Sequence, residues 1–567
     1  MKQVLYIFIV LSIFVFNGLA QNPTPTPTPM PEVKDTQQVQ PDKLNGVPQI
    51  APKYQSDDKS LPDLGRVGVD MLEQKALSLN EAIKMALENN KDIEVSRQTV
   101  KSAEFDLQAA DGFYQPRLSG TSYYEHAETP SVSIFNPTQT SSTNNSLVGN
   151  ITYQGFIKKY GSTYSATLSN QRATTDNILS PLNPQFTTSF NFTFTQPILR
   201  GRGIDNQRRV IEIAKKNLSL TDTQFRQRSI ETIATTQRAY WDLTFALRNL
   251  QVQRDGVRDA KDQLEHNKRL VKEGQLAPID IVAAETQVAN LELAVYDALD
   301  VVNRAENVLK NLVAKDKNDS IWSVSLIPTD KVDLDAPKTS LPEALDLALQ
   351  NRPELELNTV AKDINEIDQK FYKDQAKPQV DFFASYSSAG VRGTQNPDLS
   401  DRFGPVVISP DLLGGYTNTI GDIFAQRYPT FRVGINFNFP IKNKTAEAQL
   451  GKSLVEGEKI NTQREQLEQG IQVDVRNALQ SLRTAEARLR AASIARDNTV
   501  KQYESEQRKL DAGQSDIYKV LERQTALMNA RSAELRAQTE LNKAIADLQR
   551  ATGNSLKANN VEARLRK

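Results

Sequence analysis

Cysteine is absent from this chain of 567 residues, and His126 and His266 are its only histidines. Without thiolates and with so little imidazole, a structural zinc site, an iron–sulfur cluster, a catalytic cysteine and a disulfide framework all lose their ligands. Charge of one sign is also missing, since 69 Lys and Arg balance 69 Asp and Glu. No overall basic field is present to attract nucleic acid, and none is expected as a partner. Long apolar runs are scarce too. Beyond the first twenty residues no stretch approaches the roughly 18–20 apolar residues a spanning helix needs, so a mature chain that crosses a membrane must do so as strands.

The single apolar run lies at the start. Lys2, then Val4–Phe16, then the small residues of Gly18-Leu19-Ala20 read as an export signal over residues 1–20. Pro23, Pro25, Pro27, Pro29 and Pro31 follow, alternating with Thr or Met, and residues 21–75 are predicted as a Pro-rich disordered leader. Because no Cys follows the signal, the N-terminal lipid of lipoproteins is not expected.

Self-comparison shows a duplication. Leu79-Asn80-Glu81-Ala82-Ile83-Lys84-Met85-Ala86-Leu87-Glu88-Asn89 matches Leu341-Pro342-Glu343-Ala344-Leu345-Asp346-Leu347-Ala348-Leu349-Gln350-Asn351, and the same offset puts Pro116 on Pro378 and Tyr124 on Tyr386. Glu273-Gly274-Gln275 likewise resembles Ala512-Gly513-Gln514. The first repeat is assigned to 76–338, the second to 339–556, and 557–567 to a tail. Leu243, Leu250, Val257, Leu264 and Val271 recur every seventh residue, as do Ile211, Leu218 and Phe225; in the second repeat Val475, Ala478, Leu482, Ala485, Leu489 and Ala492 alternate spacings of three and four. These are coiled-coil seams. They predict two unbroken helices of roughly 70 residues, about 100 Å each, over 204–272 and 446–512. Shorter helices are expected over 78–113, 279–314, 341–376 and 516–551. Each repeat then supplies one unbroken rod and one made of two halves, packed antiparallel.

Strand patterns decide what the rods serve. In Phe431-Arg-Val-Gly-Ile-Asn-Phe-Asn-Phe439 every odd position is apolar, and Phe190, Phe192 and Phe194 alternate with Ser, Asn and Thr. Val380, Phe382, Ala384 and Tyr386 continue the pattern. Apolar groups on one face and small hydrogen-bonding groups on the other fit a wall between lipid and a wet lumen. With two clear strands per repeat one chain supplies about four, too few to close a barrel. The barrel is therefore expected to be shared, and three copies would give about twelve strands. Pro116, Pro197, Pro378 and Pro440 stand at the strand–helix junctions, where a residue without an N–H redirects or ends the element. An extra alternating hairpin over about 147–170 has three open placements: extracellular, plugging the lumen, or enlarging the wall.

Taken together, the duplicated Leu-x-x-Ala-[Ile/Leu]-x-x-Ala-Leu-x-Asn motif, Gln196-Pro197-Ile198, Phe439-Pro440-Ile441 and Gly274-Gln-Leu-Ala-Pro-Ile-Asp280 resemble the TolC-type outer-membrane efflux protein family over about 76–556. The resemblance implies a mainly α fold with membrane β structure: a periplasmic α-barrel of internally duplicated helices joined to a trimeric outer-membrane β-barrel. It also implies partners, namely two further copies of the chain, outer-membrane lipid, a periplasmic adaptor, and an inner-membrane transporter of the RND, ABC or MFS type. By the same resemblance Gly274, Gln275, Leu276, Gly513, Gln514 and Ser515 occupy the adaptor-docking turns. Asp280, Asp516, Lys519 and Glu522 fall at the periplasmic entrance, Lys519 replacing an acidic residue of the family pattern. Asp280 and Lys519 of neighbouring copies could pair across the mouth; an ordinary solvated helix charge is the alternative for each.

Other signals point nowhere. Gly201-Arg-Gly203 begins a dinucleotide fingerprint but has Asn206 in place of the third glycine. Trp241 and Trp322 read as packing residues. No constellation argues for an enzyme or a cofactor. The rival from another class is a secreted, elongated coiled-coil structural or adhesive protein.

Overall fold

The computed structural model describes residues 65–131 and 140–561; the expected signal 1–20, the leader up to residue 64 and residues 562–567 lie outside the described residues. In the first repeat the elements run β1 (Asp70–Leu77), α1 (Leu79–Asn89), α2 (Lys91–Asp111), β2 (Arg117–Pro130), β3 (Ser141–Ile157), β4 (Ser162–Thr175), β5 (Leu182–Pro197), α3 (Asn206–Lys272), α4 (Ile279–Val313) and β6 (Val324–Pro328). The second repeat runs α5 (Leu341–Asn351), α6 (Pro353–Gln375), β7 (Gln379–Gln395), α7 (Pro397–Phe403), α8 (Tyr416–Phe424), β8 (Pro429–Asn438), α9 (Lys444–Asp511), α10 (Ile517–Ala551) and α11 (Ser555–Ala558).

The duplicated motif has a packing explanation. Ser78 caps α1 by accepting the Glu81 N–H at 3.2 Å, and Ser340 caps α5 by accepting the Glu343 N–H at 3.4 Å. One turn in, Ala82 and Ala86 are fully buried against Tyr240 and Leu243 of α3 and Leu309 of α4. Ala344 and Ala348 are buried in the same way against Val475 of α9 and Leu541 and Leu548 of α10. A methyl side chain lets two backbones approach closely, which a larger residue would prevent.

The long helices are unbroken, α3 over 67 residues and α9 over 68, about 100 Å each. Asp205 caps α3 by accepting the Arg208 N–H at 2.8 Å. Beside the first half of α3 lies α2, through Ile93, Val100, Ala103, Leu218 and Phe225. Beside its second half lies α4, through Leu250 with Val302 and Ala260 with Leu291. α6 and α10 flank α9 in the same fashion, and both also pack on α3. Ion pairs tie the repeats along that inner seam: Arg209 to Asp368 at 2.6 Å, Lys216 to Asp363 at 2.7 Å, and Lys543 to Asp242 at 2.8 Å. The result is a row of four rods in the order α2 above α4, α3, α6 above α10, then α9. Both composite rods and both seams appear where the heptads put them.

Four expectations need correction. The helices expected over 78–113 and 341–376 are each two helices. Asn90 leaves the helical region and its side chain caps α2, accepting the Asp92 N–H at 2.9 Å; Pro353 has no amide hydrogen and keeps Arg352 extended. The leader does not stay unstructured to residue 75, because β1 pairs in parallel with β6. That pairing gives the β1 backbone partners and seats Leu77 in the core. α11 also carries ordered helix past residue 556 into the expected tail. Finally, the sheet has six strands rather than four, in the order β2-β3-β4-β5-β7-β8, all antiparallel. The extra two are the hairpin of 147–170 extended at both ends. Its apolar residues are spaced by Ser, Thr, Asn and Gly, which thinned its signal in the sequence.

Candidate functional site

Residues directly opposed in an antiparallel pair point to the same side of a sheet, so the register sorts every side chain onto one of two faces. One row across all six strands is Leu118, Tyr153, Ala166, Phe192, Tyr386 and Phe431. The adjacent row, on the opposite face, is Ser119, Thr152, Thr167, Asn191, Ser387 and Thr430. In these rows one face is apolar and the other hydroxyl- and amide-rich from edge to edge; nearer the far end the contrast weakens, with Arg172 and Arg392 on the apolar side and Val148 and Val391 on the polar one. Aromatic pairs reinforce the first, with Tyr386 and Phe431 centred 4.9 Å apart and Tyr153 and Tyr164 at 6.1 Å; Thr152 and Thr167 hydrogen-bond at 3.1 Å on the second. Phe431, Val433 and Phe437 are 71–74% exposed on the apolar side. A water-soluble sheet would cover such a face; lipid does so for a membrane wall. Among the described residues no helix is long and apolar enough to cross a membrane.

The hairpin belongs to this wall. Its near turn, 158–161, is held at the helical end: Phe156 stacks on Phe113 at 4.7 Å, and Lys158 pairs with Asp111 at 2.6 Å. Pro116 and Pro378 immediately precede β2 and β7, Pro197 ends β5, and Pro440 follows β8. Gly201 adopts φ 82° in the turn between β5 and α3, its N–H bonded to Asp374 at 2.6 Å.

At the far end the sequence did not foresee α8. It lies against β5 and β7 on the apolar face, with Thr419 and Thr188 hydroxyls 2.8 Å apart and Asp422 gripping Arg392 through two bonds of 2.7 Å.

The opposite ends of the rods carry the turns. Gly274 and Gly513 have φ of 75° and 70°, a region L side chains avoid, and each closes the same helix stop. The Gln275 N–H reaches Leu270 O at 2.9 Å, and the Gln514 N–H reaches Lys509 O at 2.8 Å. Leu276 is half-buried beside the exposed Gly274 and Gln275. Beyond the turns the repeats part. Asp280 accepts the Ala277 N–H at 3.0 Å. Asp516 caps α10 and binds the Lys519 ammonium of its own helix at 3.0 Å, so that Lys519 is already neutralised within the chain. The Lys519 amide and ammonium hold the Asp516 carboxyl below its ordinary range, and hydrogen bonding to Asp516 raises Lys519. Ser515 donates to Glu506, which lowers that carboxyl as well; no sequence pattern marked Glu506. Glu522 lies with Ile279, Val282, Tyr518 and Leu521 along a cleft of about 430 Å³ between α4 and α10, bridged by Gln287 and Thr525 at 2.9 Å.

A sheet of this kind feeding four duplicated rods decides the comparison with known proteins. The profile described as outer membrane efflux protein matches residues 162–315 and 344–554. The chain belongs to the outer membrane efflux protein family. Among solved structures, the CmeC outer membrane channel of Campylobacter jejuni is similar at 15% identity, with 89% of this chain and 98% of that one covered and a TM-score of 0.59. VceC of Vibrio cholerae is similar at 12% identity, covering 84% and 96%, TM-score 0.57. The MtrE outer membrane channel of Neisseria gonorrhoeae is similar at 14%, covering 84% and 89%, TM-score 0.56. No curated protein matches by sequence. These neighbours share the fold, and the family is one of outer-membrane efflux proteins.

Proposed function

We propose that three copies of the chain form a passive exit duct, the strands crossing the outer membrane and the rods extending through the periplasm. The turns at Gly274, Gln275 and Leu276 and at Gly513, Gln514 and Ser515 dock a periplasmic adaptor, which links the duct to an energised inner-membrane transporter. The observation that carries this reading is the sheet with one apolar and one polar row, joined through four proline junctions to rods that end in twin glycine turns. A polar face toward water lets solutes pass while the apolar face meets lipid. Asp280, Asp516, Lys519 and Glu522 line the entrance; Asp516 holds Lys519 within its own chain, which leaves Asp280 and Glu522 as the charges that neighbouring copies bring to the mouth.

Single-channel conductance of the purified protein in planar bilayers tests the proposal. A small conductance that grows severalfold in Asp280→Ala and Lys519→Ala supports a duct with a charged entrance. Absence of any conductance from protein shown to be inserted would overturn the duct, and an unchanged conductance in both variants would remove those residues from the gate.

A further inference from the structure

We infer that three copies of this chain close an eighteen-stranded barrel, which makes the wall half as wide again as four strands per chain would give. The inference rests on the trimeric duct and deepens it. Six hydrogen-bonded strands per chain, taken three times, make eighteen.

The edges are built for it. β2 leaves the helical end and β8 returns to it, so β8 of one copy meets β2 of the next antiparallel, as every internal pair does. Even-numbered residues of β2 and odd-numbered residues of β8 share the apolar face, so any register that opposes them continues both rows across the joint. Nearly every residue of both strands is exposed in the single chain. Below the sheet the same two edges expose Phe105 of α2, Leu293 and Val301 of α4, and Val455, Val473 and Ile494 of α9. One partner satisfies strand edge and helix edge together: a second copy of this chain. A head-to-tail joint closes into a ring when its rotation divides the full circle, and a membrane-crossing sheet requires that closure because an open edge would leave backbone groups unpaired in lipid.

Dimensions agree. Twelve rods packed 8–10 Å apart need a circumference of roughly 100–120 Å. Eighteen strands about 4.8 Å apart and tilted about 40° span about 110 Å, whereas twelve span about 75 Å. The hairpin turn at 158–161, seated beside the end of α2, places two strands above the joint between rods instead of inside the lumen. The resulting barrel is about 36 Å across between backbones, against about 24 Å for twelve strands. Cargo size is then limited at the helical entrance and not in the membrane.

Because the chain has no cysteine, single introduced thiols report each face. Thr167→Cys on the polar row of β4, Ala166→Cys and Leu168→Cys on its apolar row, and Ser385→Cys and Ala384→Cys in β7 as references are reconstituted in lipid vesicles. They are then labelled with a membrane-impermeant maleimide, while chemical cross-linking counts subunits. The wall predicts that Thr167→Cys and Ser385→Cys label at least tenfold faster than the other three. If the protein is trimeric and all three β4 positions label as fast as Ser385→Cys, the hairpin hangs in the lumen and the eighteen-stranded wall is wrong. A subunit count other than three overturns the trimer and the strand number with it, and the labelling still reports where the hairpin lies. Electron-microscopic images down the trimer axis count strands directly: eighteen supports the inference and twelve overturns it.

Discussion

The two repeats share a helical frame and differ in what they place between their strands. In the first, residues 117–197 make four strands; in the second, residues 379–438 make two, and the chain between them forms α7 and then α8, which lies against the apolar face. The helices resist change because each presents alanines or heptad residues to a fixed neighbour, where one added methylene has no room. Strands are freer, provided they come in pairs. One extra strand would deliver the chain to the wrong end of the sheet, while two return it to the helix it must enter. A second difference lies where the rods meet β1 and β6. Glu306 is fully buried, pairs with Arg66 at 2.8 Å, and accepts the Leu326 N–H at 2.7 Å; Lys310 is buried beside it and donates to Trp322 O at 3.0 Å. At the offset relating Gly274 to Gly513 (513 − 274 = 239), the second repeat has Ile545 and Gln549 instead. It also has no counterpart of the β1–β6 pair among the described residues, and the ion cluster ties β6 to α4 through Ser325, Leu326 and Trp322.

This comparison can be broken most forcefully at Glu306. Glu306→Ala strands Arg66 and Lys310 as buried cations and is expected to cost about 3–5 kcal/mol, seen as a large drop in the denaturation midpoint. Ile545→Ala removes only apolar contact and should cost about 2 kcal/mol; equal losses would deny the cluster any special role. The next effect is at the sheet. A Cβ on Gly390 would press on the Thr419 backbone oxygen, whereas Gly149, on the same face of β3, has nothing within 4 Å. Gly390→Val is expected to lose about 1–3 kcal/mol and expose α8 to proteolysis, with Gly149→Val near neutral. At the tips, where the repeats agree, Gly274→Ala and Gly513→Ala should each cost about 1–2 kcal/mol through the left-handed backbone alone. A marked difference between them in thermal unfolding would show that one turn is braced by neighbours and the other is not.

The smallest expected effect is pH dependence at the second tip. The Asp516 carboxyl is lowered from 3.8 in the folded chain, so its stabilisation of the start of α10 is present above that value and is lost as pH falls through the folded one. Hydrogen exchange at the Lys519 amide should accelerate beyond its intrinsic rate as pH falls below the ordinary carboxylate range, and Asp516→Asn should abolish that step.

Much of this architecture was legible in the sequence. Heptads at Leu243, Leu250 and Val475 set the long helices, Gly274 and Gly513 set the turns, and Phe431–Phe439 announced a two-faced strand, because each of these signals depends on neighbours within a turn or two along one chain. β3 and β4 were legible only as an alternating hairpin without a place, since Ser and Thr on one face and Gly149 and Ala166 on the other give little contrast. Helix α8, the parallel pairing of β1 with β6, and the Arg66–Glu306–Lys310 cluster left no periodic trace. Each depends on partners far apart in the chain.

What the sequence determined by itself is therefore the set of elements, their duplication and their two-faced character, which are matters of local periodicity and backbone preference. Only the tertiary structure decided the number of strands in the wall, the face on which α8 lies, and the local pairing of Lys519 with Asp516. Register and side-chain reach are settled between segments, and no segment carries that information alone.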